Sequence, residues 1–205
     1  MLEGRFADAE RLYREALKQE PKANAVAVKL HALLAATGRK ADADAWARKW
    51  MAENPRDAGM RLYLGERELA AKNLKASAAH YQAAIAIEPD NALALNNLAW
   101  IGGELGDPKA IDYAERALKL APNSATVLDT YGMLLVRGGE AERALPYLER
   151  GRKLAPERND LRLNYAKALI RAGRKDDARR ELEALNAVKD PFDGKADVAA
   201  LLKGL

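Results

Sequence analysis

His31 and His80 are the two histidines of the 205-residue chain, and a histidine that acts as a base needs an orienting partner on one ring nitrogen and a nucleophile near the other. Neither companion can be picked out. His31 follows Leu30 in an apolar stretch and His80 precedes Tyr81, so the expectation is a packed or capping His31 and an exposed His80. Asp176 and Asp177 form a carboxylate pair, but they open a predicted helix, where the dipole favours acidic side chains. Cysteine is absent, which removes thiolate ligands and disulfides and leaves the redox compartment open. Two separated histidines do not make a metal cluster. The residues therefore assign no catalytic group, no metal and no cofactor, and the chain is expected not to be an enzyme.

Recognition chemistry is easier to place. In the stretch NNLAW, Asn96 and Asn97 carry amides suited to the backbone of an extended peptide, and Trp100 offers a large contact area at low entropic cost. The alternative is that Trp100 packs on a neighbouring helix and the amides are merely solvated. Arg171, Arg174, Lys175, Arg179 and Arg180 make a basic run that could attract an acidic surface. Their alternation with Asp176, Asp177 and Glu181 reads instead as a solvated convex face. Formal charge is only +4, with both signs interspersed, so nucleic acid is not implied. No apolar run reaches the length of a membrane span, and the first residues lack a hydrophobic signal segment.

The elements that must hold these residues follow from the prolines. Pro21, Pro55, Pro89, Pro122, Pro156 and Pro191 are separated by 34, 34, 33, 34 and 35 residues. Twelve positions before the first five stand Ala9, Ala43, Ser77, Ala110 and Ala144; five before them stand Ala16, Trp50, Ala84, Ala117 and Gly151. Each period contains two amphipathic stretches split by turns such as TGRK, LGDP, RGGE and AGRK, which gives helix, turn, helix, turn. Small side chains allow two helices to cross closely, and proline past the second helix stops it. Gly102 and Gly103 fall inside a predicted helix, where each costs up to about 1 kcal/mol relative to alanine. Close approach of the neighbouring helix, forced by the shortened LGDP turn, is the first reading; a hinge or a ligand approach is the other.

This pattern resembles the tetratricopeptide repeat, whose unit has about 34 residues. The copy AGMRLYLGERELAAKNLKASAAHYQAAIAIEPDN places Leu64, Gly65, Ser77, Tyr81, Ala84 and Pro89 on the signature positions. The family's aromatic at its fourth position is replaced by Ala27, Arg61, Leu95 and Leu128, and its tyrosine at the eleventh by Leu34, Glu68, Gly102 and Leu135. The resemblance implies an all-α fold, a right-handed superhelix of antiparallel helix pairs over 1–205. It divides into a partial repeat at 1–21, full repeats at 24–55, 58–89, 92–122, 125–156 and 159–190, and a capping helix at 192–205. In the cap, Val198, Leu201, Leu202 and Leu205 share one stripe, as a solenoid end requires.

First helices of successive repeats line a concave groove. By register its outward residues are Leu62, Tyr63 and Glu66, then Asn96, Asn97 and Trp100, then Asp129, Thr130 and Met133, then Leu163, Asn164 and Lys167. The resemblance implies a protein or peptide ligand there. A carboxylate clamp of the chaperone-binding kind needs lysine and asparagine at the fifth and ninth positions of one repeat. The fifth positions are Val28, Leu62, Asn96, Asp129 and Leu163, so no clamp can be assembled.

Residues 92–205, with the ELGDPKA loop and the ending FDGKADVAALLKGL, also resemble the C-terminal region of TPR-repeat lipoproteins that accompany bacterial PEP-CTERM/exosortase systems. That resemblance implies an exported chain, periplasmic or bound to the outer membrane through a lipid anchor outside these residues, and linked to exopolysaccharide production and protein sorting. A cytoplasmic adaptor is the alternative. On the repeat frame the segment Phe6 to Gln19 is a second helix without its partner, which would make the chain the C-terminal part of a longer array. Its apolar residues, Leu12 among them, would then be exposed and invite pairing between chains. Light scattering is expected to show concentration-dependent association; a strict monomer at high concentration would argue against it.

Overall fold

The computed structural model describes residues 2–205; Met1, where the partial repeat was expected to begin, lies outside them. Among the described residues there are twelve helices and no strand. They fall into two compact units, one ending at Pro89 and one running from Asp90 to Leu205.

The first unit contains α1 (Leu2–Gln19), α2 (Asn24–Ala36), α3 (Lys40–Glu53), α4 (Gly59–Ala70) and α5 (Leu74–Ile85). Each helix packs on its chain neighbour within a pair, and α2 also lies against α4. The α4–α5 crossing shows why the small residues recur. A methyl group on Gly65 would sit 2.9 Å from the ring of the fully buried Tyr81, and the Ser77 hydroxyl donates to the Gly65 carbonyl at 2.8 Å. Asp57 fastens the start of α4: its carboxylate accepts from the Gly59 amide at 2.8 Å, from Trp50 Nε1 at 2.7 Å and from Asn24 Nδ2 at 2.5 Å. On α1, Leu12 is 54% exposed and Phe6 41%, the apolar exposure anticipated for this helix.

The second unit contains α6 (Ala92–Leu105), α7 (Ala110–Leu120), α8 (Ala125–Arg137), α9 (Ala141–Leu154), α10 (Asn159–Arg171), α11 (Lys175–Asn186) and α12 (Lys195–Lys203). The pairs α6–α7, α8–α9 and α10–α11 stack in chain order, with α6 against α8 and α8 against α10. Asn91 and Ser124 cap α6 and α8 by accepting from Ala94 N at 3.0 Å and Val127 N at 3.4 Å, satisfying amides that a helix start otherwise leaves open. Asp176 and Asp177 lie in the first turn of α11. The cap is in place: Val198 is buried with Leu163, Ala166, Leu182 and Leu185, and Leu201, Leu202 and Leu205 flank it. It starts at Lys195 rather than at 192, because Gly194 turns the chain with φ +86° before the helix begins.

Turns after the first helices share one geometry. Gly38, Gly106, Gly139 and Gly173 take positive φ, and at the equivalent point between α4 and α5 that conformation falls to Lys72, φ +61°. A side chain there is sterically strained, whereas glycine is not.

Gly102 and Gly103 have separate reasons. An added Cβ at Gly102 would meet Ala110 Cβ at 2.9 Å and its Cα at 3.3 Å on α7; at Gly103 it would meet Leu134 Cδ2 at 2.7 Å and the end of Arg137 on α8. The first contact involves backbone that cannot move without separating the pair, the second the tips of flexible side chains. Gly102→Ala is expected to destabilise the protein by about 1 to 3 kcal/mol. Gly103→Ala is expected to fall within about 1 kcal/mol of neutral, since alanine's helix preference offsets the small adjustment. Urea denaturation of both variants checks the order.

Candidate functional site

In the first unit the groove positions are largely occupied from within. Arg67 Nη1 donates to the Tyr63 hydroxyl at 3.2 Å, and that hydroxyl lies 3.1 Å from Nδ1 of the buried His31, whose ring meets Tyr63 edge-on at 5.2 Å. An oxygen that accepts from arginine has its proton free for Nδ1, so the arrangement suits a neutral imidazole. Burial first, and the Arg67 charge second, hold the His31 pKa below its ordinary value. This is the packed histidine anticipated. Leu62 is half-buried and Glu66 exposed. His80 is half-buried rather than exposed, with its pKa lowered mainly by desolvation.

The second unit brings six predicted residues into one cleft of about 290 Å³: Trp100 from α6, Asp129, Thr130 and Met133 from α8, Asn164 and Lys167 from α10. Trp100 is 44% exposed. Asn164 Nδ2 donates to both carboxylate oxygens of Asp129, at 2.9 and 3.1 Å. Lys167 Nζ reaches Asp197 of the cap at 3.1 Å.

Several predicted positions turn inward. Asn96 is only 7% exposed and its Oδ1 has no hydrogen-bond partner in the structure. Thr130 is 6% exposed, edges the cleft, and donates to the Thr126 carbonyl of its own helix at 3.0 Å. Leu163 is buried beneath the cap. Asn97 is half-buried and is not among the residues that form the cleft. The reason is rotational: four residues along a helix advance the side chain by about 40° past a full circle, enough to bury position 96 while 100 stays in the open.

Sequence reading missed Glu104 and Arg137, which pair across the cleft between α6 and α8. They lie one helical turn beyond Trp100 and Met133, so extending the outward stripe by four residues would have found them. It also placed Arg171 on a solvated convex face. Instead Arg171 joins Met133, Val136, Arg137, Lys167 and Leu201 around an adjoining cleft of about 690 Å³, because it ends α10, a first helix. Arg174 and Arg180 behave as anticipated, both pairing with Asp177 in the solvated α11 turn.

Asp129 is the electrostatic anomaly. Desolvation pushes its carboxyl up from 3.8 to about 7, against the Asn164 hydrogen bond that favours the charged form; Asp160 adds repulsion and Arg158 attraction. Among the described residues no cluster of three or more His, Asp or Glu could hold a metal ion, and no helix is long and apolar enough to cross a membrane.

Residues 135–203 match the profile of the tetratricopeptide repeat family. Solved structures extend the likeness over almost the whole chain: YrrB, described as a TPR protein with an unusual peptide-binding site, superposes with a TM-score of 0.72 at 19% identity over 94% of this chain and 98% of its own. The fold is that of the tetratricopeptide repeat. PilF of Pseudomonas aeruginosa gives a TM-score of 0.74 at 19% identity, covering 97% of this chain and 91% of its own. A tetratricopeptide repeat protein from Parabacteroides merdae gives 0.73 at 14% identity, covering 98% and 80%. No curated protein matches the chain in sequence. In TPR terms, Trp100, Met133 and Lys167 occupy one equivalent position in three successive first helices.

A raised carboxyl pKa has a stability consequence whose sign is fixed. Between 3.8 and about 7 the folded chain keeps a proton that the unfolded chain releases, so this group's contribution is full below 3.8 and is lost as pH rises through about 7. Asp129→Asn is expected to remove that slope and leave the variant more stable than the parent above pH 7, by on the order of 2 to 4 kcal/mol. Urea melts across that pH window provide the check, and an unchanged slope would count against the desolvation of Asp129.

Proposed function

We propose that this chain is a non-catalytic scaffold that binds an extended segment of another protein along α6, α8 and α10. The observation that carries the reading is Trp100. A large indole 44% exposed, lining one cleft with Met133 and Asn164, is costly to leave in water and well suited to a peptide. Repeated helical pairs that share a packing pattern and vary in their outward side chains give a rigid wall and variable chemistry, which serves gripping rather than reaction.

We further propose that the scaffold works in the bacterial envelope, within an exopolysaccharide and protein-sorting system of the PEP-CTERM kind, as a periplasmic or outer-membrane lipoprotein. The resemblance of residues 92–205 supports this, and a general cytoplasmic adaptor is the alternative. Fractionating cells that express the full-length gene separates them: recovery with membranes and release by detergent favours the envelope, recovery with cytosol the adaptor.

A photo-crosslinking residue at position 100 is expected to capture a protein partner in cells, whereas one on the exposed second helix α11, at position 179, is not. Trp100→Ala is expected to weaken binding of the captured partner by about 1 to 3 kcal/mol. Crosslinking confined to position 179, or an unchanged affinity, would refute the site.

A further inference from the structure

The ion pairs around the cleft are internally closed except at one place. Lys167 is paired with Asp197 and Arg137 with Glu104. Arg158, which attracts Asp129 from a distance, gives its own hydrogen bonds to Asp160 and to the Thr126 hydroxyl. Asp129 receives a neutral amide, two contacts from a single Asn164 nitrogen, although an ionised carboxylate has about four acceptor sites. A desolvated carboxylate served by an amide alone is an electrostatic vacancy that a cation fills.

The surroundings define which cation fits. A cleft of about 290 Å³ lies at the low end of ligand-site volumes, suited to one side chain rather than a whole small molecule. Trp100 lines the same cleft, and an indole face favours a guanidinium over an ammonium because the planar ion stacks and forks at once.

We propose that this cleft is a socket for one arginine side chain of the bound peptide, with Asp129 as its counter-ion, Asn164 holding the carboxylate in place and Trp100 covering the guanidinium and its stem. The proposal rests on the peptide-binding reading above and specifies its ligand. Filling the socket expels the proton that Asp129 holds near neutral pH, so affinity rises with pH through about 7. The other charged groups facing the socket are Asp160, Arg158 and Lys167 from the α10 side, Glu104 from α6 and Arg137 from α8 itself; α7 and α9 contribute no residue to it.

The test uses two blocked peptides, acetyl-Ala-Leu-Arg-Leu-Ala-amide and its counterpart with neutral citrulline in place of arginine, titrated into the protein and into Asp129→Asn on both sides of pH 7. Backbone amide shifts locate the binding and fluorescence gives the affinity. Above pH 7 the arginine peptide is expected to bind about tenfold more tightly than the citrulline peptide. That ratio is expected to shrink toward one well below pH 7 and to be one at every pH in Asp129→Asn. Equal affinities above pH 7 in the unaltered protein, or a ratio that survives the substitution, overturn the socket. The two readings fail differently: equal affinities with shifts on α6, α8 and α10 leave the groove standing and remove only the counter-ion. Shifts absent from those helices for both peptides remove the groove and the socket together.

Discussion

Everything else in these helical pairs depends on how near their two axes come. Where α4 meets α5, α6 meets α7 and α8 meets α9, one partner carries a glycine whose missing methyl group would overlap Tyr81, Ala110 or Leu148 by several tenths of an ångström. Interaxial spacings of about 8 to 10 Å leave room for little more. Because the same closeness recurs in these three pairs, they are near copies, and within the second unit such pairs stacked in chain order set α6, α8 and α10 side by side with their outward stripes in line. The groove is therefore a by-product of packing. Its chemistry is free to vary because none of the crossings depends on it.

The two units use that freedom differently. In the first, Tyr63 is held by His31 and Arg67, which joins the outward stripe to the core through a chain of hydrogen bonds. In the second, the equivalent stripe leaves Trp100 open and sinks a carboxylate beside it. Buried charge of this sort is rarely kept for stability, since an amide of the same shape would serve the fold as well.

The period of the prolines made the helices legible, and the small residues made their pairing legible, because both report backbone constraints that hold whatever surrounds them. The cap was legible for the same reason, as a single apolar stripe along a short helix. Rotation about each helix axis was not. Asn96 and Trp100 look alike in register, yet packing buries one and leaves the other exposed. Asp129 carried a faint signal, an acid at a position filled elsewhere by Val28, Leu62, Asn96 and Leu163, but only packing reveals that it is desolvated. Arg171 was assigned to the wrong surface because it was grouped with neighbours in sequence rather than with the helix that carries it.

One small irregularity has a consequence for how the chain comes apart. Four of the five turns that link the helices of a pair rest on glycine, and the fifth bends through an exposed Lys72 whose strained backbone is held by the Asn73 side chain and amide on Glu68. That linker gains more than its equivalents by relaxing, so among these turns it is the natural place for the first unit to fray. It also displays the cation that trypsin-like proteases cut beside. Cleavage by such a protease would enter the first unit between α4 and α5, at the seam where a repeat departs from its own rule.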